Sequence, residues 1–265
     1  MGKNGIVLSI AGFDPTGGAG VLLDVKIFNL LGLKGAGIPT ALTLQNTSVF
    51  EGWEPVKPEY LERTLKLVSS DLPVKGIKIG MIGTSENAEI IGNFLKRERN
   101  KISWVVLDPV LKATLNYSLF SSHNFIKVLK TKILPFVDVI TPNIFEASFL
   151  TEKNIRKRKE LLEIAKEILD LGVKIVIIKG WTSLQFVWDL FFIQNKSLFL
   201  RRKKLIGNFH GTGCAFSSAL LSYLVLGFKP EEAFKKAKNW LYLKLKKAER
   251  EKIGGKLWLF LRGGL

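Results

Sequence analysis

Short continuous apolar runs alternate along this chain with longer segments whose apolar residues recur at helical spacing. The runs Ile6–Ile10, Ile38–Leu44, Gly76–Ile79, Val105–Leu107, Val137–Thr141 and Ile175–Ile178 end at Gly, Pro, Asn, Asp, Gln or Lys. Near-continuous apolar character predicts strands covered on both faces, as in parallel sheets. Between Lys159 and Leu171, residues Leu161, Ile164, Ala165, Ile168 and Leu169 share one helix face, and Gly172 stops the helix. Strand–helix–strand alternation predicts a parallel sheet with right-handed crossovers. The rhythm breaks once. Phe186–Ile193 and Leu198–Lys203 flank the polar stretch Gln194-Asn195-Lys196-Ser197, which reads as an antiparallel hairpin. Two helices follow. The second opens on Pro230, Glu231 and Glu232 and carries Lys244, Lys246 and Lys247 late, an order that suits the helix dipole.

The expected architecture is therefore α/β, a mostly parallel central sheet with an antiparallel edge hairpin. No linker interrupts the pattern, so residues 1–265 read as one domain, with 254–265 as a peripheral tail. The apolar stretch from Ile6 to Phe13 is cut short by Asp14 and a glycine cluster, and Leu257–Leu261 is too short to span a bilayer, so a cytoplasmic protein without a membrane partner is expected. Cys214 is the single cysteine, and His123 and His210 are the two histidines, which disfavours a disulfide framework or a zinc site. The net charge of +17 raises nucleic-acid binding. The basic residues are scattered, however, and lack interleaved aromatics, which favours a solvated lysine-rich surface. A positive field also suits anionic substrates.

Two glycine-rich segments carry candidate chemistry. In His210-Gly211-Thr212-Gly213-Cys214, glycines lead straight into the apolar run Ala215–Leu226. The first amides of a helix lack internal partners and its dipole favours negative charge, so this is a candidate anion hole for a phosphoryl group. Cys214 at that helix start is expected to have a lowered thiol pKa and to act as a base toward a substrate hydroxyl. Ile10–Gly20 follows the first strand and lets a ligand approach backbone where open α/β sheets bind ligands. Neither a GxGxxG fingerprint nor a GxxxxGK[ST] loop is present, which excludes a Walker-type site. Read alone, the first segment is equally a turn ahead of a small buried thiol, and the second a glycine turn with no ligand. Further polar residues close predicted strands: Gln45, Asp108, Asn143 with Glu146, and Lys179. Together they predict a polar crest along one edge of the sheet.

The segments IAGFDPTGGAG, TALTLQNT, KIGMIG, VLDPV, ITPNIFEA, IIKG and HGTGC, in that order, resemble the hydroxymethylpyrimidine/phosphomethylpyrimidine kinases, from about residue 6 to about residue 247. The resemblance implies a ribokinase-like three-layer α/β/α fold. It also implies ATP-dependent phosphorylation of 4-amino-5-hydroxymethyl-2-methylpyrimidine, and then of its monophosphate, in thiamine biosynthesis. It carries over Cys214 as catalytic base, with Gly211, Thr212 and Gly213 as the anion hole. Gln45, Asp24, Gly12, Met81 and Val110 would bind the pyrimidine. Asn143, Lys179 and Lys112 would bind ATP, and Asp108 and Glu146 would serve Mg2+. It suggests a homodimer. The chain departs from the family after Val110, where Leu111–Asn116 replaces a Ser-Gly loop, and also at Trp181-Thr182 and Asn208-Phe209. A pyridoxal kinase on the same scaffold and a non-catalytic pyrimidine or nucleotide binder are the competing readings.

Overall fold

The structure, a computed structural model, describes residues 6–111, 119–120, 124–207 and 209–248, with 252–253 and 256–257. The chain runs β1 (Ile6–Phe13), α1 (Gly20–Leu30), β2 (Lys34–Gln45), β3 (Phe50–Pro55), α2 (Pro58–Asp71), β4 (Val74–Ile79), α3 (Ser85–Glu98) and β5 (Trp104–Leu107). It continues through α4 (Asn124–Val128), β6 (Val139–Ile140), α5 (Ile144–Thr151), α6 (Glu160–Asp170), β7 (Ile175–Ser183), β8 (Phe186–Ile193), β9 (Lys196–Lys203), α7 (Thr212–Val225) and α8 (Pro230–Ala248).

The nine-stranded sheet has the order β3-β2-β1-β4-β5-β6-β7-β8-β9. The central pairs from β2–β1 to β6–β7 are parallel. The expected hairpin, β8–β9, forms one antiparallel edge together with β7. At the other edge β3 pairs antiparallel with β2, a strand not foreseen in the sequence. Its segment, FEGWEP, holds two glutamates, a glycine and a terminal proline, and carries little apolar signal. Conversely, the predicted strand Val137–Thr141 shrinks to Val139–Ile140. Asp138 is diverted there: its carboxylate accepts the Val105 amide and two cationic side chains, from Arg99 and Lys174.

Alternating strand residues feed two apolar layers. Leu8, Ile10, Ile77, Ile79, Val105 and Leu107 pack toward α2, α3 and α6. Val7, Val106, Val139, Ile175 and Ile177 pack toward α1, α7 and α8. This is the expected three-layer arrangement. Local chemistry sets the helix starts. Thr84 accepts the Asn87 amide ahead of α3, and Asn143 and Glu146 close a reciprocal capping box on α5. Among the described residues no helix is long and apolar enough to cross a membrane.

Candidate active site

A cavity of about 470 Å³ opens at the carboxyl ends of β1, β2 and β5, against the start of α7. Parallel strands end there without a covering helix, and that is where open α/β sheets hold ligands. Its lining includes Gly12, Gln45, Met81, Asp108, Val110, Asn143, Glu146, Lys179, Gly211, Thr212, Gly213 and Cys214. The predicted polar crest is thus brought together in one pocket.

The glycine loop and the α7 loop are fastened to each other. Asp14 Oδ1 accepts the Thr16 amide at 2.9 Å and the Thr16 hydroxyl at 2.7 Å, while Oδ2 meets His210 Nε2 at 2.9 Å. Burial alone would raise the Asp14 carboxyl, but the His210 and Thr16 hydrogen bonds outweigh it and hold it below the usual carboxylate range. Gly211 precedes α7 at φ +74°, and a Cβ there would meet the Gly18 carbonyl oxygen at 1.8 Å. The two loops can therefore close on each other only through glycine. His210 lay inside a recognised segment without a role. Its partner is distant in sequence, and no spacing rule links the two.

At one end of the pocket Gln45 is half-buried and donates from Nε2 to Thr43 Oγ1 at 3.0 Å. Thr43 in turn donates to the Phe13 carbonyl at 2.9 Å. The side-chain oxygen of Gln45 has no role in that chain of bonds. Gly12 lies against Met81: an added Cβ would sit 2.9 Å from its sulfur. Met81, Phe50 and Leu119, with Val110 packed against them, give this end apolar walls.

The opposite end is charged. Asp108 Oδ1 accepts Lys179 Nζ at 2.7 Å and the Thr141 hydroxyl at 3.1 Å, and Oδ2 faces the Ser217 hydroxyl at 3.4 Å. Burial opposes ionisation of Asp108, yet Lys179 and Lys78 prevail and hold the carboxyl low. Lys179 is raised in the same way: burial lowers it, and Asp108 and Glu146 more than reverse this. Glu146 is different. Burial pushes its carboxyl up to about 8, Lys179 pulls it down, and Asp108 pushes it further up. With Glu146 protonated, the Asp108–Lys179 pair is balanced, and a cation bound beside them would displace the Glu146 proton. Magnesium takes one or two protein carboxylates and completes its shell with phosphate oxygens and water. Among the described residues no group of three or more His, Cys, Asp and Glu gathers as a metal cluster. The donor set of Asp108 and Glu146 fits magnesium in that shared mode.

The raised Glu146 carboxyl has a consequence for stability. The folded protein keeps this proton up to about pH 8, whereas an unfolded glutamate loses it near 4.5. Its contribution is therefore full below the unfolded value and is lost as pH rises through that window. Glu146→Gln, a neutral mimic that keeps the capping box, is expected to unfold at the parental temperature in acid and a few degrees higher above pH ~8 without metal. Thermal unfolding in chelator at both pH values checks this.

Two sequence expectations are corrected. Asp24 does not reach the pocket. It is fully buried, with Oδ1 accepting from Ser218 at 2.7 Å and Oδ2 from Ser9 at 2.6 Å and Lys78 at 2.8 Å. The family resemblance assigns this helix carboxylate to ligand, but the opposing Lys78 on β4 claims it. Lys78 itself, raised against the pull of burial by Asp24, gave no sequence signal beyond lying in an apolar strand. The second correction concerns Cys214. Its thiol is raised to about 11, not lowered: burial dominates, Asp24 and Asp108 add to it, and Lys78 and a Gly20 amide only partly offset it. Lys112 lies outside the described residues.

Such a sheet, with a glycine-led helix end aimed into a pocket at the strands' carboxyl edge, is that of the ribokinase-like vitamin kinases. Phosphomethylpyrimidine kinase from Clostridium difficile 630 is 31% identical, covers 91% of this chain and 100% of its own, and superposes with a TM-score of 0.79. Pyridoxal kinase from Staphylococcus aureus, in complex with AMP-PCP and pyridoxal, is 28% identical, covers 96% of this chain and 92% of its own, and gives 0.85. The phosphomethylpyrimidine kinase family model matches residues 14–256. A hydroxymethylpyrimidine/phosphomethylpyrimidine kinase from Aquifex aeolicus is 34% identical over 92% of this chain and 96% of its own length. The chain belongs to the phosphomethylpyrimidine kinase family.

Proposed function

We propose that this protein transfers the γ-phosphoryl group of ATP to the hydroxymethyl oxygen of 4-amino-5-hydroxymethyl-2-methylpyrimidine, and then phosphorylates the monophosphate, in thiamine biosynthesis in the cytoplasm. The observation that carries this reading is a single pocket with an amide-and-apolar end at Gln45 and Met81 and an anion-directed charged end at Gly211–Cys214 and Lys179. Membership of a kinase family implies ATP as co-substrate.

The aminopyrimidine edge presents a ring nitrogen beside an exocyclic amine. A carboxamide offers a matching donor and acceptor, which assigns Gln45 to that edge. Gly12, Met81 and Val110 enclose the flat ring. Its hydroxymethyl group then points toward Cys214 and the first turn of α7. The amides of Thr212 and Gly213 stabilise charge on the transferring phosphoryl group. Lys179 neutralises phosphate charge, and Asn143 orders the same edge through its cap on α5. Asp108 and Glu146 would hold magnesium, which supplies charge neutralisation on the phosphates. Cys214, as its thiolate, accepts the hydroxyl proton at Sγ while the substrate oxygen bonds to the γ-phosphorus, the bond from that phosphorus to the β–γ bridging oxygen breaks, and ADP leaves.

Gln45→Ala is expected to weaken binding of the pyrimidine by roughly 1–3 kcal/mol, because its ring edge is left unpaired, with kcat for the bound substrate little changed. Calorimetric titration with the pyrimidine alcohol measures this, and unchanged affinity removes Gln45 from the ring edge. A pyridoxal kinase is the second reading, favoured by the TM-score of 0.85 to the pyridoxal-bound relative. Thermal-shift titration with each alcohol separates the two: the pyrimidine is expected to stabilise the protein, and stabilisation by pyridoxal alone selects the second reading. The exposed apolar side chains of Leu42, Leu44 and Val49 at the β2–β3 edge support a homodimer.

A further inference from the structure

The β7–β8 ladder contains an irregularity that aims Lys179. Ile178 pairs with Leu190 and Trp181 pairs with Trp188, so Lys179 and Gly180 on β7 stand opposite the single residue Asp189 on β8. Two residues facing one is a β-bulge, and bulges beside active sites redirect a side chain. Upstream of the bulge, Ile175–Ile178 are wholly buried in the two apolar layers. At the bulge, midway along β7, the Lys179 amide donates to the Pro142 carbonyl at 2.8 Å and its ammonium reaches Asp108 at 2.7 Å.

The bulge removes the ladder partner of Gly180, and the Asp189 side chain replaces it. Asp189 Oδ1 accepts the Gly180 amide at 2.9 Å. Its other oxygen, Oδ2, accepts Lys238 Nζ from α8 at 2.6 Å. Asp189 is 2% exposed, and the buried Leu190 and Phe191 follow it along β8. A buried carboxylate here is costly by itself, and an apolar residue would fit the surrounding layer without that penalty. What the carboxylate adds is a connection from the turn after Lys179 to α8. The two lysines it relates also flank one buried ring: Lys179 Nζ lies 5.9 Å and Lys238 Nζ 5.2 Å from the Phe216 centroid. Phe216 belongs to α7, the helix whose first turn forms the anion-directed end of the pocket.

We infer that Asp189, braced by Lys238, is a positioning residue that fixes the Lys179–Gly180 bulge and so holds the Lys179 ammonium toward the phosphates of bound ATP. This rests on the reading of Lys179 as the phosphate contact given above. Asp189 touches no reacting atom in this account. It acts through Lys179 alone, which fixes the pattern of kinetic effects.

Asp189→Ala is expected to lower kcat/KM for ATP about tenfold or more, with KM for the pyrimidine alcohol held within about twofold. Asp189→Asn keeps an oxygen for the Gly180 amide and is expected to recover most of that loss. Lys238→Met, at a less buried position, is expected to shift the same parameter in the same direction by a smaller factor, which keeps the test available if Asp189→Ala does not fold. The deciding measurement is the double-mutant cycle with Lys179→Met. In that background Asp189→Ala, or Lys238→Met, should add no further loss. Folded variants with parental ATP kinetics, equal losses for both substrates, or losses that add fully to Lys179→Met overturn the inference. If Lys179→Met alone leaves ATP kinetics unchanged, the phosphate role of Lys179 is what fails, and this inference falls with it by a separate and recognisable route.

Discussion

Cys214→Ala is expected to lower kcat by about 10²- to 10⁴-fold, the range of a positioned proton acceptor, while the pyrimidine alcohol binds with near-parental affinity. The separation follows from where the thiol sits. It is at the start of α7, among the backbone amides of Thr212 and Gly213, whereas Gln45 and Met81, the groups proposed to contact the ring, are on β2 and after β4. The raised thiol adds a sign to the prediction. With its pKa near 11, the thiolate is the minor form at neutral pH, so the parental kcat should climb with pH across the neutral and mildly alkaline range. The Cys214→Ala variant should lose that climb. Steady-state kinetics against pH, with isothermal titration of the alcohol, check both halves. Parental turnover in the alanine variant, or the same pH slope in both proteins, assigns the proton to another acceptor.

Gly211→Ala should be comparably severe for a different reason. The added Cβ would stand 1.8 Å from the Gly18 carbonyl oxygen, and φ there is +74°. The left-handed conformation alone costs an ordinary residue of order 1–3 kcal/mol, and the contact forces the two loops apart. A displacement of about 1 Å at the anion-directed end is worth about 10²-fold in rate. Both consequences are measurable on one sample: a lower unfolding temperature and a kcat reduced by about 10²-fold or more. The affinity of Gln45 for the ring edge should survive, because that part of the pocket rests on β2. A folded Gly211→Ala protein with parental kcat would mean that the approach of the two loops is not required for transfer.

The parts of this fold that were legible in the sequence are those where one physical demand dominates. Parallel strands buried on both faces are nearly all apolar, so Ile6–Ile10, Gly76–Ile79, Val105–Leu107 and Ile175–Ile178 stood out, with Ser9 and Lys78 as the polar exceptions that bond to Asp24. The α6 helix announced itself by its spacing and its terminal glycine. Strand β3 stayed hidden because an edge strand over a pocket carries few apolar side chains. The polar crest was legible because strand ends are punctuated by Gln, Asp, Asn and Lys. All of them face the cavity, as that pattern predicts, but the helix after the glycine loop was not readable in the same way. Asp24 follows the same glycine loop as the pocket residues, yet Lys78 from β4 turns it into an internal counter-ion. Likewise, the helix start at Cys214 suggested a lowered thiol pKa, and burial reversed it. The Asp14–His210 contact and the Asp189 bulge pair groups that are separate in sequence and meet only through the sheet.

The central claim is that one pocket aligns a pyrimidine alcohol with the γ-phosphoryl group of ATP. Its most direct test is incubation of the purified protein with Mg-ATP and the hydroxymethylpyrimidine, followed by chromatographic separation of the products. The account predicts ADP release matched by the pyrimidine monophosphate, then by its pyrophosphate as the monophosphate accumulates. Absence of any phosphorylated pyrimidine under conditions where the alcohol binds would contradict it.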